Sequence, residues 1–293
     1  MKQRIGMIGI GLMGRGIATN LVKHGHALAL LDHPGNQPLQ ALQAAGAVVL
    51  RSAAEVAARA DVVILVLTGS PQVEEVLTGA GGVLEGLRSG SVVIDCSTAI
   101  PSSTVRMAAA VHAAGGRFLD APMTRTPKEA AEGRLNLLVG GDAAVLEACR
   151  GVLSCFAENI THTGAVGSGH SMKLLHNYVS LGTVALLCEA AACAHRHGVA
   201  PEVFVDVLAR GGGGGTALER MRPFLLSGDA SGLRFSIANA CKDIGYYNTM
   251  AADAGASREV AGATLAILER ALTQCEPGTH VPELAALLAR PER

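Results

Sequence analysis

The chain has 293 residues, enough for two domains, and its 49% of hydrophobic residues excludes a disordered chain. A formal net charge of −1 and 3% of aromatic residues disfavour a nucleic-acid binder, which needs a basic surface and stacking rings. The seven cysteines form no Cys-X-X-Cys pair and are typical of reduced thiols, so we expect a cytoplasmic protein without a metal site.

The first half of the chain alternates short apolar segments with helical patterns. The apolar segments are rich in Val, Ile and Leu and predict strands buried on both faces of a parallel sheet. They cover residues 4–10, 27–32, 47–50, 61–67, 91–96, 117–120 and 135–139. Helical patterns lie between or after them, over 12–24, 38–45, 52–59, 102–114 and 142–153. The alternation predicts a doubly wound, Rossmann-type α/β domain over residues 1–163.

A glycine-rich turn, Gly9-Ile-Gly-Leu-Met-Gly14, joins the first predicted strand to the first helix. In a dinucleotide-binding domain the first glycine permits the tight turn, the second admits the pyrophosphate, and the third lets helix and strand pack closely. The free N–H groups of the helix start also favour phosphate. The residues predicted to bind the cofactor here are Gly9, Gly11, Leu12, Met13 and Gly14.

A carboxylate closes the second predicted strand, because Asp32 stands 18 residues after Gly14. A carboxylate at this position binds the ribose hydroxyls of NAD and repels the 2′-phosphate of NADP, and no Arg follows it. The sequence therefore favours NAD over NADP.

Two hydroxyl side chains, Ser97 and Thr98, follow the strand predicted over 91–96. Open α/β sheets bind ligands at the carboxyl ends of their strands, so we expect Ser97 to contact substrate and Thr98 to contact cofactor. The alternative is a simple capping role for the helix that follows.

The second half of the chain reads as helices alone. A long pattern over 168–197 follows a glycine-rich connector at 163–169, and further helices are predicted over 201–210, 217–226, 235–254, 257–272 and 281–290. These patterns predict an all-α domain over 164–293. The apolar stretch 174–188 is too short to cross a bilayer, so we expect no membrane contact. One domain cannot cover so apolar a helix, which favours a homodimer or homotetramer.

Lys173 and Asn177 stand four residues apart on the long predicted helix and therefore share a face. Hydride transfer to a carbonyl needs a proton donor for the developing alkoxide, and an ammonium group can stabilise and protonate it. An ammonium at Lys173 suits such a task, with Asn177 holding the ammonium or the substrate oxygen. The alternative is a lysine that merely extends from a helix start into solvent.

Four motifs in this order resemble the β-hydroxyacid dehydrogenase family, which includes 3-hydroxyisobutyrate dehydrogenases and tartronate semialdehyde reductases and is related to 6-phosphogluconate dehydrogenase. Besides the first glycine motif, they are Asp95-Cys-Ser-Thr-Ala-Ile-Pro101, Asp120-Ala-Pro-Met-Thr124 and Gly164-Ala-Val-Gly-Ser-Gly-His-Ser-Met-Lys-Leu-Leu-His-Asn177, with Lys242-Asp243 as a shorter fifth. The resemblance covers essentially the whole chain. It implies an NAD-dependent oxidoreductase that interconverts a small anionic 3-hydroxy acid and its semialdehyde.

The same resemblance implies roles for individual residues. Lys173 is the general acid/base and Asn177 its partner, while the Ser97–Thr98 loop lies by the nicotinamide and substrate. Lys242 reaches the cofactor and active site; without the resemblance it would be read as a surface lysine.

The chain departs from the family at two positions. Relatives acting on 3-hydroxyisobutyrate-like substrates usually read Ser-Gly-Gly where this chain reads Thr124-Arg125-Thr126. An Arg offers a bidentate fork for a carboxylate or sulfonate, and the Arg-Thr pair is similar to that of sulfolactaldehyde reductases. His176 stands where most relatives have Asn, so it is a further predicted substrate contact. The alternative for Arg125 is a solvated loop position.

Two other functions remain open for this chain. Imine reductases share the architecture but commonly carry Asp or Tyr at the position of Lys173, which disfavours them. A non-catalytic nucleotide-binding protein of the same ancestry is disfavoured by the intact Lys173 and Asn177 pair.

Overall fold

The computed structural model describes residues 2–290, and within them nine strands form one sheet. The strands are β1 (Ile5–Ile8), β2 (Leu28–Leu31), β3 (Val48–Leu50), β4 (Val62–Leu65), β5 (Val92–Asp95), β6 (Arg117–Asp120), β7 (Met123–Thr124), β8 (Leu135–Gly141) and β9 (Ala157–Gly164). Their order is β3-β2-β1-β4-β5-β6-β8-β7, with β9 paired to β8. Strands β1 to β6 are parallel, whereas β8 runs antiparallel to β6 and β7 and parallel to β9.

Helices follow most of the strands and then continue alone to the end of the described chain. They are α1 (Leu12–Lys23), α2 (Gln40–Ala44), α3 (Ala53–Ala58), α4 (Ser70–Thr78), α5 (Val83–Gly86), α6 (Pro101–Ala113), α7 (Pro127–Glu132), α8 (Ala143–Leu153), α9 (Ser168–Arg196), α10 (Pro201–Arg210), α11 (Thr216–Ser227), α12 (Ile237–Asp253), α13 (Glu259–Leu272) and α14 (Leu284–Leu288). The predicted fold class, a Rossmann-type α/β domain followed by helices, is confirmed.

Several elements escaped the sequence prediction. Helices α4 and α5, which lie between β4 and β5 in the chain, were not predicted. Neither were β7 and α7, which precede β8, nor β9, which follows it after α8. Strand β9 has only one fully buried residue and lacks the apolar pattern that marked the other strands. The predicted helix over 281–290 begins instead with a 3₁₀ turn, Val281–Glu283, before α14.

Contacts divide the chain into two compact units, Met1–Lys173 and Leu174–Arg293. The sequence placed the boundary at residue 163, before the glycine connector, whereas the boundary by contacts falls inside α9. In the first unit two buried apolar clusters form, one including Met7 and Ile64, the other Ile8 and Val63. Neighbouring residues of one strand enter different clusters, because successive side chains of a strand point to opposite faces of the sheet. Both faces of the sheet are therefore buried.

Among the described residues one helix, α9, is long and apolar enough to cross a membrane. Length and composition alone do not separate such a helix from the core helix of a soluble protein. In the helical unit, Leu181, Val184 and Cys188 of α9 are buried in one apolar cluster with residues of α11 to α14. One side of α9 therefore packs against the other helices of this unit.

Candidate functional site: a dinucleotide turn and a buried Asn–Asp pair

The turn between β1 and α1 can be built only with glycine at two positions. Gly9 has a φ of 95°, and a Cβ there would lie 2.2 Å from the Val66 carbonyl oxygen. A Cβ at Gly14 would lie 2.0 Å from the Gly9 carbonyl oxygen. Both distances are far below van der Waals contact, so a side chain at either position would force the strand and helix apart.

The start of α1 carries N–H groups that no side chain caps. Gly11 is the N-cap residue, its own position opens into free space, and it provides no side-chain hydrogen bond. Leu12, Met13 and Gly14 follow in the first turn, where backbone N–H groups have no partner within the helix. Such a helix start suits a phosphate group.

Asn36 holds this turn against the end of β2. Its Oδ1 accepts a hydrogen bond from the Ile10 N–H at 3.1 Å, and its Nδ2 donates to the Leu31 carbonyl oxygen at 2.9 Å. Sequence reasoning missed Asn36, since an Asn in a loop is usually read as a turn former.

Asp32 lies exposed immediately beyond β2, and its backbone N–H donates to the Leu50 carbonyl oxygen at 2.8 Å. The strand end is therefore fixed while the carboxylate faces solvent. The glycine turn, the uncapped helix start and this carboxylate together fit a dinucleotide cofactor.

Ser97 is 2% exposed and joins the loops that follow β4 and β5. Its Oγ accepts a hydrogen bond from the Leu67 N–H at 2.9 Å, and its N–H donates to Asp95 Oδ1 at 2.9 Å. The Ser97 side chain also forms a hydrogen bond with Asp95, which acts to lower the pKa of that carboxyl against the effect of burial. Thr98, the next residue, is half-buried.

Arg125 adopts a backbone conformation that glycine favours, with a φ of 80°. Its guanidinium pairs with Glu158 and also donates to the Arg134 carbonyl oxygen. The backbone at Arg125 thus keeps a conformation that glycine favours. The guanidinium that was predicted to bind the substrate forms an ion pair with Glu158.

The two threonines beside Arg125 also have partners. Thr124 Oγ1 accepts a hydrogen bond from Asn136 Nδ2 at 3.1 Å. Thr126 is the N-cap of α7 and forms a reciprocal capping box with Glu129. The Thr126 hydroxyl therefore stabilises a helix start, a use that the sequence reading did not assign to it.

In the helical unit, Asn177 is 7% exposed and forms a short hydrogen bond with a second buried residue, Asp243. Asn177 Nδ2 donates to Asp243 Oδ2 at 2.6 Å, and His176 Nδ1 lies 3.0 Å from Asn177 Oδ1. The side-chain amide is thus held at both ends. From the sequence we predicted a role only for Lys242 of the Lys242-Asp243 motif. An acidic residue on a helix with many apolar residues was the signal that could have pointed to Asp243.

Lys242 forms an ion pair with Asp243 Oδ1 at 3.1 Å, and its Nζ lies 5.4 Å from the ring centroid of Tyr246. A stacked pair of rings, Tyr178 of α9 and Tyr247 of α12, lies 4.0 Å apart by centroids. Burial raises the pKa of Tyr178, so its phenol stays protonated. The stacked tyrosines and the Asn177–Asp243 bond fasten α12 to α9, whereas the contacts of Lys242 lie within α12.

Lys173 is half-buried and lies one helical turn before Asn177 on α9, so the two residues share a face of that helix. Within residues 2–290, no group of three or more His, Cys, Asp or Glu side chains is arranged to hold a metal ion.

Comparisons with known proteins cover almost the whole chain. Residues 4–164 match the NAD-binding domain of 6-phosphogluconate dehydrogenase, and residues 167–288 match the family described as NAD-binding of NADP-dependent 3-hydroxyisobutyrate dehydrogenase. The chain is 34% identical over 243 residues to 2-(hydroxymethyl)glutarate dehydrogenase of Eubacterium barkeri, covering 83% of this chain and 80% of that one.

Two further relatives agree. The NAD-dependent L-serine dehydrogenase of Pseudomonas aeruginosa is 37% identical over 224 residues, which are 76% of this chain and 74% of that one. The structure of Mycobacterium tuberculosis 3-hydroxyisobutyrate dehydrogenase with L-serine superposes with a TM-score of 0.89 at 29% identity, covering 99% of this chain and 100% of that one. The chain therefore belongs to the β-hydroxyacid dehydrogenase family and is an NAD(P)-dependent oxidoreductase acting on CH–OH groups.

Proposed function

We propose that this enzyme interconverts a small anionic 3-hydroxy acid and its semialdehyde, with Lys173 as general acid/base and NAD as cofactor. The observation that carries the proposal is the buried Asn177 amide, held by Asp243 at 2.6 Å one helical turn after Lys173. A buried amide fixed in this way is suited to orienting a neighbouring group.

Each residue has a definite task in this reaction. When bound, the nicotinamide cofactor accepts or supplies the hydride. Lys173 Nζ takes the hydroxyl proton of the substrate during oxidation and returns it to the alkoxide during reduction. Asn177 orients the Lys173 ammonium or the substrate oxygen, and Asp243 keeps the Asn177 amide in one orientation.

The names of the relatives narrow the substrate class. L-serine, 3-hydroxyisobutyrate and 2-(hydroxymethyl)glutarate each carry a CH₂OH group on the carbon that bears a carboxylate. We infer that the substrate of this enzyme has the same arrangement of a hydroxymethyl group beside an acid group.

Five side chains are proposed to bind that acid group: Ser97 after β5, Thr124, Arg125 and Thr126 at the end of β7 and before α7, and His176 on α9. A guanidinium binds a sulfonate as well as a carboxylate through two parallel hydrogen bonds, so the Arg125 position also supports a second candidate, sulfolactaldehyde reduction. For Arg125 to take part, its guanidinium must exchange Glu158 for the substrate anion.

The proposed cofactor is NAD, because the exposed Asp32 carboxylate would face the 2′-phosphate of NADP with a like charge. Lys242 is proposed to contact the cofactor as well. The seven cysteines are all free, and four of them are buried, which supports a reducing, cytoplasmic location.

The test is a survey of turnover followed by NADH absorbance. The panel contains 3-hydroxyisobutyrate, L-serine, 2-(hydroxymethyl)glutarate, 2,3-dihydroxypropane-1-sulfonate and the aldehyde that corresponds to each, with NAD and with NADP. Turnover of a carboxylate or sulfonate member with NAD supports the proposal. Turnover of cyclic imines alone, or of no compound with either cofactor, would contradict it.

A further inference from the structure

A buried cluster of ionisable side chains lies beneath the Ser97–Thr98 loop and has no role in the reaction described above. His170, Asp95 and Asp120 are all 0% exposed. The imidazole nitrogens of His170 lie 3.9 Å from Asp95 Oδ2 on one side and 3.9 Å from Asp120 Oδ2 on the other. All three residues belong to the first unit.

The hydrogen bonds of the cluster fix which nitrogen of His170 carries a proton. Nε2 lies 3.1 Å from the Ser97 carbonyl oxygen, and since a carbonyl oxygen only accepts, Nε2 must donate. Nδ1 lies 2.8 Å from Thr104 Oγ1, a hydroxyl that also donates to the Ile100 carbonyl oxygen at 3.1 Å. The imidazole is therefore held at both nitrogens, and its Nε2–H is committed to the loop.

The backbone of His170 is tied to the cluster as well. Asp120 Oδ2 accepts the His170 N–H at 2.9 Å, and Asp120 Oδ1 accepts the Gly167 N–H at 2.7 Å. Asp120 thus accepts hydrogen bonds from two backbone N–H groups at the start of α9. The first N–H groups of a helix have no carbonyl acceptor within the helix, so Asp120 supplies one. Lys173 follows His170 by three residues, close to one helical turn.

Burial raises the pKa of Asp95, and the neighbouring His170 acts in the opposite direction. The electrostatics of this buried carboxyl therefore depend on its contact with the imidazole.

We propose that His170 is a positioning residue for the reaction: its imidazole couples the Ser97–Thr98 loop to the first turn of α9 and so fixes that loop relative to Lys173. The inference rests on the proposed function, since the loop and Lys173 are the groups assigned there to ligand contact and proton transfer. A misplacement of about 1 Å between such groups costs about a hundredfold in rate.

Replacing His170 by a residue with a side-chain amide tests the two nitrogens of the imidazole one at a time. In His170→Gln the amide nitrogen takes the place of Nε2 and can still donate to the Ser97 carbonyl, whereas in His170→Asn it takes the place of Nδ1 and reaches only Thr104. We expect H170N to lower kcat by about tenfold to a hundredfold. We expect H170Q to stay within about fivefold of wild type, the equivalent of one neutral hydrogen bond.

Amide hydrogen exchange gives a readout that does not depend on the reaction. The N–H groups of residues 96–100 should exchange faster in H170N than in wild type and at the wild-type rate in H170Q. If H170N does not fold, His170→Leu, which also lacks a donor for the Ser97 carbonyl oxygen, should lower kcat in the same direction. Equal kcat and equal exchange in H170N and H170Q would overturn the inference. Loss of the proposed function is recognised separately, as a wild-type protein that turns over nothing in the panel while the exchange difference persists.

Discussion

Asp32 and Arg125, two charged residues of the first unit, differ in whether a protein partner already occupies the side chain. Asp32 is exposed at the end of β2 and is available to a ligand, whereas the Arg125 guanidinium is already paired with Glu158. The sequence marks both as ligand-binding residues, because type and spacing are visible in it. The partner of Arg125 is 33 residues away and belongs to β9, a strand that the sequence pattern did not show.

The proposed preference for NAD rests on Asp32. We expect Asp32→Ser to lower the ratio of kcat/KM for NAD over that for NADP by about tenfold or more, because juxtaposed like charges cost several kcal/mol. Steady-state kinetics with both cofactors measure this ratio. A wild-type enzyme that prefers NADP would refute the assignment outright.

Arg125 and Glu158 should act in opposite directions on substrate binding. Arg125→Gly removes the guanidinium and suits the positive φ, and we expect KM for the anionic substrate to rise about tenfold or more, the loss of a charge-assisted hydrogen bond. Glu158→Gln should lower that KM by up to about fivefold, since an exposed ion pair contributes at most about 1 kcal/mol. KM for NAD should be unchanged in both variants. If neither substitution moves the substrate KM, Arg125 is a structural loop residue.

At the scale of elements, α9 and α12 act as one unit through Asn177, Asp243 and the stacked tyrosines. Asp243→Ala leaves the buried Asn177 amide without its acceptor, at a cost of about 1–3 kcal/mol. We therefore expect kcat to fall about fivefold to a hundredfold. Asp243→Asn retains an acceptor oxygen and should lose less.

The control for the two Asp243 variants is their affinity for NADH, measured by fluorescence titration. This affinity should be similar in both variants. An alanine variant as active as wild type would show that the orientation of Asn177 does not matter for the reaction.

Elements also show where prediction from sequence stops. Buried parallel strands such as β4 are readable because a short unbroken apolar run between polar turns is typical of a strand covered on both faces. Helix α7 carried a readable signal, Thr126 followed by Pro127 and then Glu129, but it is only six residues long and was passed over. The Asn177–Asp243 bond joins residues 66 positions apart, and nothing in the local sequence announces such a pair.

At the scale of the whole molecule, α9 exposes an apolar stripe that consists of Leu175, Val179 and Leu186, exposed by 42%, 66% and 68%. The residues are spaced by four and seven positions, as in helices that pack together, and Gly182 lies within the same stripe. We propose that a second copy of the chain covers this stripe in a homodimer or homotetramer.

Leu186→Glu tests the stripe by placing a charge in it. We expect sedimentation to show a smaller assembly than wild type, because an unpaired charge is costly in an apolar interface. Val260→Glu is the matched control: Val260 is also 68% exposed but lies on α13. A monomeric wild type, or the same change in both variants, would refute the interface.

The substitution Lys173→Ala tests most directly whether Lys173 transfers the proton, measured as kcat for the 3-hydroxy acid together with the Kd for NADH. We predict that kcat falls by about 10²–10⁴-fold, the typical contribution of a general acid/base, while the Kd for NADH stays at the wild-type value. Lys23→Ala, at the exposed end of α1, should change neither quantity. A Lys173→Ala enzyme that keeps its turnover would contradict a role for Lys173 in proton transfer.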